Sequence, residues 1–308
     1  MTVIVFGSIN MDLVTQSPRL PVPGETLLGS DFFTAPGGKG ANQAVAAARL
    51  GVPTCMVGRV GADSFGQELL ASLQQAGVQT EGVRIDETAH SGIAAIAVNQ
   101  TGENHIIVVP GANGRMDATD VERLAHLLPQ ATALLLQLEI PLPIVHSAAQ
   151  IARQAGVSVI LDPAPTQPDL PPDLYSLVDI ITPNEVEAEQ LVGFAIDGLQ
   201  AAETAATVLR QQGVGTVIIK LGAQGAFCAT AAETFLIPAF AVDAIDTVAA
   251  GDAFNGGLAV ALAEGLPLRQ AVIWGAAAGA LAATQAGAQS SMPDRQTFNT
   301  FLKTQAVI

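Results

Sequence analysis

Positive charge is scarce in this chain. Its 308 residues hold 28 Asp and Glu against 13 Lys and Arg, a formal net charge of -15. Only three of the cations are lysines: Lys39, Lys220 and Lys303. A surface that neutralises a polyphosphate backbone needs clustered Lys and Arg, so nucleic-acid polymers are excluded as partners. A site for a smaller phosphate-bearing ligand would have to rely on backbone amides, helix N-termini and metal ions. Cysteine is equally sparse. Cys55 and Cys228 lie far apart in sequence, which argues against a disulfide framework or a zinc site and points to buried, reduced thiols in a cytoplasmic protein. Long apolar runs are also missing. The hydrophobic fraction is 49%, yet Gly and Pro break it up, and the uncharged helical stretch around 271–283 falls short of the ~20 residues that span a bilayer. Residues 1–12 have no basic start and reach Asn10 and Asp12 too early for a secretory signal.

Several catalytic signatures are absent as well. The four histidines show no HExxH spacing, and there is no GxSxG elbow. Gly7-Ser8-Ile9-Asn10 has one glycine where a dinucleotide fingerprint needs three. The Gly37–Gly40 turn is not a Walker A loop, because no Ser or Thr follows Lys39.

What remains is a regular alternation. TVIVFG (2–7) reads as a buried strand, the Ala-rich 40–50 as a helix, 54–60 as a strand and 64–77 as a helix. From residue 118 onward, helices at 118–128, 143–155, 185–192 and 199–212 alternate with strands ALLLQLE, VSVILD, DIITPN and TVIIKLG. The tail reads as helices at 250–264, 268–283 and 294–303. This pattern predicts an α/β, Rossmann-like fold, with a mostly parallel central sheet flanked by helices. Two β-rich insertions, roughly 12–38 and 79–110, interrupt it. The second contains a hairpin turning at Asn99–Gly102, and together they predict a small second sheet over the ligand-binding edge.

Three motifs carry chemistry. In Asp246-Thr247-Val248-Ala249-Ala250-Gly251-Asp252, small residues open a helix whose amides Ala249, Ala250 and Gly251 can surround an anion. Asp252 stands beside them as a potential general base, although either aspartate is also an ordinary helix cap. In Gly37-Gly38-Lys39-Gly40-Ala41-Asn42-Gln43, a flexible turn offers amides and the donors of Lys39 and Asn42. Finally, Asn10, Asp12, Glu139, Asn184 and Glu187 fall at strand C-termini, where ligands collect in open α/β sheets; Asn184 and Glu187 also fit a capping box.

GSINMD (7–12), PGGKGANQA (36–44), LLLQLE (134–139), ITPNEVEAE (181–189) and DTVAAGDAFNG (246–256), in this order, resemble the ribokinase-like (PfkB) family of ATP-dependent sugar and nucleoside kinases along essentially the whole chain. The resemblance implies transfer of phosphate from ATP to O5 of ribose, with another sugar (fructose or 2-keto-3-deoxygluconate) or a nucleoside as the alternative acceptor. It implies sugar contacts from Asn10, Asp12, Gly38, Lys39, Gly40, Ala41, Asn42 and Glu139, with Asp252 as base and Ala249, Ala250 and Gly251 as the anion hole. Asn184 and Glu187 would organise Mg²⁺ and phosphates. Lys220, Leu221, Gly222, Ala223, Gln224 and Gly225 would form the nucleotide loop, with Ala276 near the adenine. A K⁺ site would draw on Asp246, Val248, Ala282, Gln285, Gly287 and Ser291. The β-rich insertions would form a lid that pairs two subunits. Members of the family often carry Thr at the position of Lys220, so this lysine either meets phosphate or lies across adenine. A nicotinamide dehydrogenase lacks its glycine fingerprint here, and a non-catalytic sugar binder has little use for Asp252 beside an anion hole.

Overall fold

The computed structural model describes residues 1–167 and 170–305. In chain order the first half contains β1 (Thr2–Phe6), β2 (Asn10–Ser17), β3 (Asp31–Gly37), α1 (Lys39–Arg49), β4 (Thr54–Gly61), α2 (Ser64–Gln75), β5 (Gln79–Asp86), β6 (Gly92–Asn99) and β7 (Asn104–Val109). A single-turn 3₁₀ segment, Gly111–Arg115, leads to α3 (Ala118–Leu127), β8 (Ala131–Leu136), α4 (Leu142–Gln154) and β9 (Ser158–Leu161). Then come α5 (Pro172–Leu177), β10 (Ile180–Ile181), α6 (Glu185–Val192), α7 (Leu199–Gln211), β11 (Thr216–Lys220), β12 (Ala226–Ala229) and β13 (Thr234–Ile237). Helices α8 (Ala250–Ala263), α9 (Leu268–Ala283) and α10 (Arg295–Thr304) close the chain.

Nine strands form one sheet in the order β13-β12-β11-β10-β9-β8-β1-β4-β5. Pairing is parallel from β5 to β11 and antiparallel across β12 and β13. Continuous apolar strands belong in a sheet covered on both faces, and β1 shows this directly. Val3 and Val5 pack into the layer that includes α1, α8 and α9, while Ile4 and Phe6 pack into the layer that includes α4 and α7. The alanines and glycines of α8 and α9 let these helices approach closely: a Cβ on Gly257 would stand 2.8 Å from the Trp274 carbonyl oxygen. Among the described residues no helix is long and apolar enough to cross a membrane. Both cysteines are buried and unpaired.

The order in which the chain adds strands reverses at β1, which has β4 on one side and β8 on the other. That is the switch point where an open α/β sheet leaves a crevice at its carboxyl edge. A second sheet, in the order β3-β2-β6-β7, stands at this edge. Its second contribution starts later than the composition suggested. Residues 79–86 pair with β4 in the large sheet, so only β6 and β7 of the 79–110 stretch enter the small one. Strands β12 and β13 and helix α5 also carry no clear sequence signal; they are short and irregularly patterned.

The root of the small sheet is fixed by buried charge. Arg59, 5% exposed at its side chain, meets Asp117 at 2.8 Å and lies 3.6 Å from Asp86. Its Nε donates to Asp120, which is fully buried, at 3.1 Å. Asp86 ends the strand leading out to the small sheet, and Asp117 caps the helix that follows the return.

Candidate active site

The Gly-rich turn joins β3 to α1 and packs against the main chain of Ile9 and Asn10, where β2 starts. Gly38 has φ of +88°, and a Cβ there would stand 2.7 Å from the Asn10 nitrogen, so backbone touches backbone and only glycine fits. The amide of Lys39 donates to Glu139 Oε2 at 3.1 Å, and the Gly40 amide donates to Ser8 Oγ at 3.3 Å. Ser8 Oγ donates in turn to Glu139, and Asn10 Nδ2 lies 3.4 Å from the same carboxylate oxygen. Asp12 lies directly against Gly37. Burial, followed by the nearby charges of Glu139 and Asp252, pushes its carboxyl up to about 7.

Asp252 faces this cluster from the first turn of α8 and is 5% exposed. Asn42 Nδ2 donates to its Oδ2 and Gln43 Nε2 to its Oδ1, each at 3.0 Å. Burial raises the Asp252 carboxyl to about 6, against the opposing pull of Lys39. For Lys39 burial alone would lower the pKa, but the charges of Asp252, Asp162, Glu139 and Glu187 outweigh it and hold the ammonium above its ordinary value. Asn42 Oδ1 is buried with no partner among the described residues. An orphaned acceptor next to a carboxylate suits a ligand with neighbouring hydroxyls, one donating to each.

Ala249, the N-cap of α8, has φ of +58°, the one non-glycine in that region among the described residues. This turn aims the amides at the head of the helix outward. One detail differs from the expected trio: the Ala250 amide bonds the Thr247 carbonyl at 3.2 Å. The amides of Ala249, Gly251 and Asp252 have no backbone acceptor among the described residues. They and the helix dipole make an anion cradle beside Asp252.

Lys220, at the end of β11, reaches the same cradle. A Cβ on Gly251 would stand 3.2 Å from its Nζ, which donates to Asp162 Oδ1 at 3.1 Å. The lysine's charge therefore sits beside the cradle amides. Asn184 and Glu187 form a reciprocal capping box at the start of α6: the Asn184 amide donates to Glu187 Oε2 at 2.7 Å and the Glu187 amide to Asn184 Oδ1 at 2.8 Å. Burial, then Asp162, raises the Glu187 carboxyl, with Lys220 opposing. Gly222, Ala223 and Gln224 are exposed and Gly225 half-exposed, whereas the Leu221 side chain is 2% exposed and belongs to the core. Ala276 is half-buried on α9, one turn before Gly279, which abuts the Ala250 carbonyl.

The positions expected to hold a monovalent cation also converge. Asp246 accepts from the Val248 and Gly287 amides, each at 2.9 Å, tying two loops together beside the start of α8. Gln285 and Ser291 close tight turns on the carbonyls of Ala282 and Ala288. Among the described residues no group of three or more His, Cys, Asp or Glu is arranged to hold a metal ion. A divalent ion here would have one protein carboxylate, Glu187, and would complete its shell from phosphate and water, as Mg²⁺ commonly does.

A buried carboxylate pinned by two amides, an amide cradle beside it and a polar cluster over the crevice suit phosphoryl transfer to a hydroxyl. Known proteins agree. Residues 2–295 match the pfkB family carbohydrate kinase. The chain belongs to the PfkB family of carbohydrate kinases. The ribokinase of Haemophilus influenzae is 45% identical over 302 residues, covering 98% of each chain. The structure of Arabidopsis thaliana ribokinase complexed with ribose and ATP superimposes with a TM-score of 0.90 at 35% identity, covering 98% of each chain. The deoxyribokinase of Salmonella typhi is 35% identical, covering 98% of this chain and 99% of its own. The PfkB kinase described here is thus an ATP-dependent sugar kinase.

The sequence assigns no role to some of its site residues, even where, as at Ser8 and Gln43, they lie inside a motif. Ser8 braces Glu139, and Gln43 braces Asp252. Asn113 clasps the Ile9 main chain at both its amide and carbonyl, each at 3.0 Å, and donates to Asn10 Oδ1 at 2.7 Å. Asp162 receives Lys220. Gln43 ends the Gly37–Gln43 motif, which is a usable hint. Asp162 is visible only as a polar residue ending a strand.

Proposed function

We propose that this PfkB kinase transfers the γ-phosphoryl group of ATP to O5 of D-ribose, giving ribose 5-phosphate and ADP. The observation that carries the assignment is Asp252, held through both oxygens by Asn42 and Gln43 immediately beside three unpartnered amides. Asn10, Asp12, Asn42, Glu139 and the Gly38–Ala41 turn hold the sugar hydroxyls so that one faces Asp252. Asp252 takes the proton of that hydroxyl as the hydroxyl oxygen attacks phosphorus, the bond to the ADP oxygen breaks with its electron pair passing to ADP, and the proton stays on the Asp252 carboxyl until it is released to solvent. The cradle amides and Lys220 stabilise charge on the moving phosphoryl oxygens, and positioning supplies much of the acceleration. Mg²⁺, when bound with ATP, neutralises further phosphate charge; Glu187 and Asn184 would meet it directly or through water. Residues 222–225 and Ala276 flank the nucleotide.

K⁺ fits the carbonyl-rich loops joined by Asp246, as an activator of the adjacent cradle. Equal rates in potassium and choline buffers would remove this activation. A second copy of the chain fits the outer part of the small sheet, where Phe32, Ile106 and Ile107 are 60%, 53% and 68% exposed. Apolar strands at a sheet edge favour pairing, and a monomeric mass by light scattering would refute the dimer. Two buried free thiols suit a reducing cytoplasm.

Similarity to both ribokinases and a deoxyribokinase makes the acceptor the point to test. Ribose, 2-deoxyribose, fructose, 2-keto-3-deoxygluconate and a nucleoside should be compared by kcat/KM with ATP. Ribose is expected to lead; a larger kcat/KM for any other acceptor would reassign the substrate within the same chemistry.

A further inference from the structure

Asp162 follows β9 at the carboxyl edge and is 2% exposed. None of the sugar or nucleotide contacts uses it, yet both of its oxygens are committed. Oδ1 accepts from Lys220 Nζ at 3.1 Å, and Oδ2 accepts from Gln43 Nε2 at 3.0 Å. The same Gln43 nitrogen donates to Asp252 Oδ1 at 3.0 Å. An amide nitrogen has two hydrogens, so Gln43 gives one to each carboxylate. Its orientation is fixed because Gln43 Oε1 accepts from Gln137 Nε2 at 2.7 Å. Gln43 and Gln137 are fully buried. Two buried carboxylates sharing one donor are costly unless cations compensate them. Lys220 does so at Asp162, and Lys39 acts on both.

We infer that Asp162 is a positioning residue for both ends of the transfer: one oxygen holds Lys220 beside the amide cradle, and the other, through Gln43, aligns Asp252. The inference rests on the site being a phosphoryl-transfer centre and extends it to a residue outside the substrate contacts. In a chain with three lysines, it explains how one is fixed where phosphate charge arrives. It also makes cation and base parts of one buried relay, Lys220–Asp162–Gln43–Asp252.

Asp252 is faced by Lys39, Asn42 and Gln43 from α1, by Asp12 from β2 and by Asp162 from the end of β9. The relay therefore has opposite signatures at its two links. Asp162→Asn removes a negative neighbour and moves the acid limb of the kcat/KM profile to lower pH. Gln43→Met removes a donor to the ionised base and moves that limb to higher pH. A purely structural role moves neither limb, whatever it does to the melting temperature.

The test combines these profiles with calorimetric binding of MgATP, measured without sugar. Lys220→Met is expected to weaken MgATP binding roughly tenfold, the scale of one charge-assisted hydrogen bond, and Lys220→Arg to recover most of it. Asp162→Asn should weaken binding in the wild-type background and add nothing to Lys220→Met. Unchanged MgATP affinity in Asp162→Asn, or additive losses in the double variant, overturns the inference. If Asp162→Asn does not fold, the Gln43→Met profile decides: an unmoved acid limb overturns it. A wild-type protein that binds MgATP but prefers another sugar corrects the acceptor and leaves the relay intact. Failure of the wild type to bind MgATP ends the kinase assignment itself.

Discussion

Asn42 donates its side-chain amide to Asp252 at 3.0 Å across 210 positions of sequence. The contact joins the Gly-rich turn over the crevice to the first turn of α8, so sugar-side residues and the base form one unit. The carboxylate cannot rotate freely, because Gln43 holds its other oxygen. A base held in this way needs only the acceptor hydroxyl to be delivered to it.

Asp252→Asn keeps the size of the side chain and removes its ability to take a proton. Turnover is expected to fall by about 10³-fold or more, while ribose affinity changes little, because general-base and positioning contributions are each worth orders of magnitude. Steady-state kinetics with ribose titrated at saturating MgATP provides the check. Turnover within about tenfold of wild type would remove Asp252 from the base role.

The pH dependence follows from the same group. Burial raises Asp252 to about 6, and the base acts only when ionised. The expected kcat/KM is therefore level above neutrality and falls on acidification through about 6. Lys39 stays protonated throughout, held above its ordinary value despite its burial. A flat profile between pH 5 and 8 contradicts an ionised Asp252 as the base.

Asp12 shows how function is set against stability. Its folded carboxyl is raised to about 7 from 3.8 by burial and by two neighbouring carboxylates. The folded state therefore binds that proton more tightly than the unfolded chain, and stability is lost as pH rises from about 4 through 7. Asp12→Asn is neutral throughout and should raise the melting temperature at pH 8 by more than at pH 5.5, while weakening ribose binding. Equal gains at both pH values would contradict the assigned shift.

Arg59 tests the anchoring of the small sheet. Its guanidinium is buried among Asp86, Asp117 and Asp120, with Asp120 fully buried. Arg59→Met removes the charge these carboxylates share, leaving Asp86 to Arg115 and the buried Asp120 to Arg123 alone, and should cost about 3 kcal/mol. Calorimetry should show a melting temperature lower by roughly 10 °C, taking about 2–4 °C per kcal/mol for a chain of this size. An unchanged melting temperature would mean that the cluster is dispensable.

The parts of this architecture that were legible in the sequence have a physical reason to be so. The long helices α1, α8 and α9 and the apolar runs of β1 and β8 must face a two-sided core, so their composition betrays them. The GGKG turn and the AAGD helix start were also legible, since close backbone approach at Gly38 and the crowded cradle demand small residues. The short β12, β13 and α5 were not, because elements of four to six residues repeat their period only once or twice, too little for a pattern to stand out. Nor was the partition of residues 79–110: the charged β5 and the apolar β6 are both strand-like, and only tertiary pairing sends one to each sheet. Asp162 and Gln43 act through contacts 58 to 209 positions distant, and local sequence does not record such partners.

The central claim is ribose-dependent phosphoryl transfer by this constellation. The most direct measurement is ADP release from MgATP with and without D-ribose, with the product followed by ³¹P NMR. The account predicts that ribose accelerates ADP release by orders of magnitude and that each ADP is matched by one phosphomonoester on the ribose C5 oxygen. ADP release that ribose leaves unchanged, or phosphate appearing only as the inorganic ion, would contradict it.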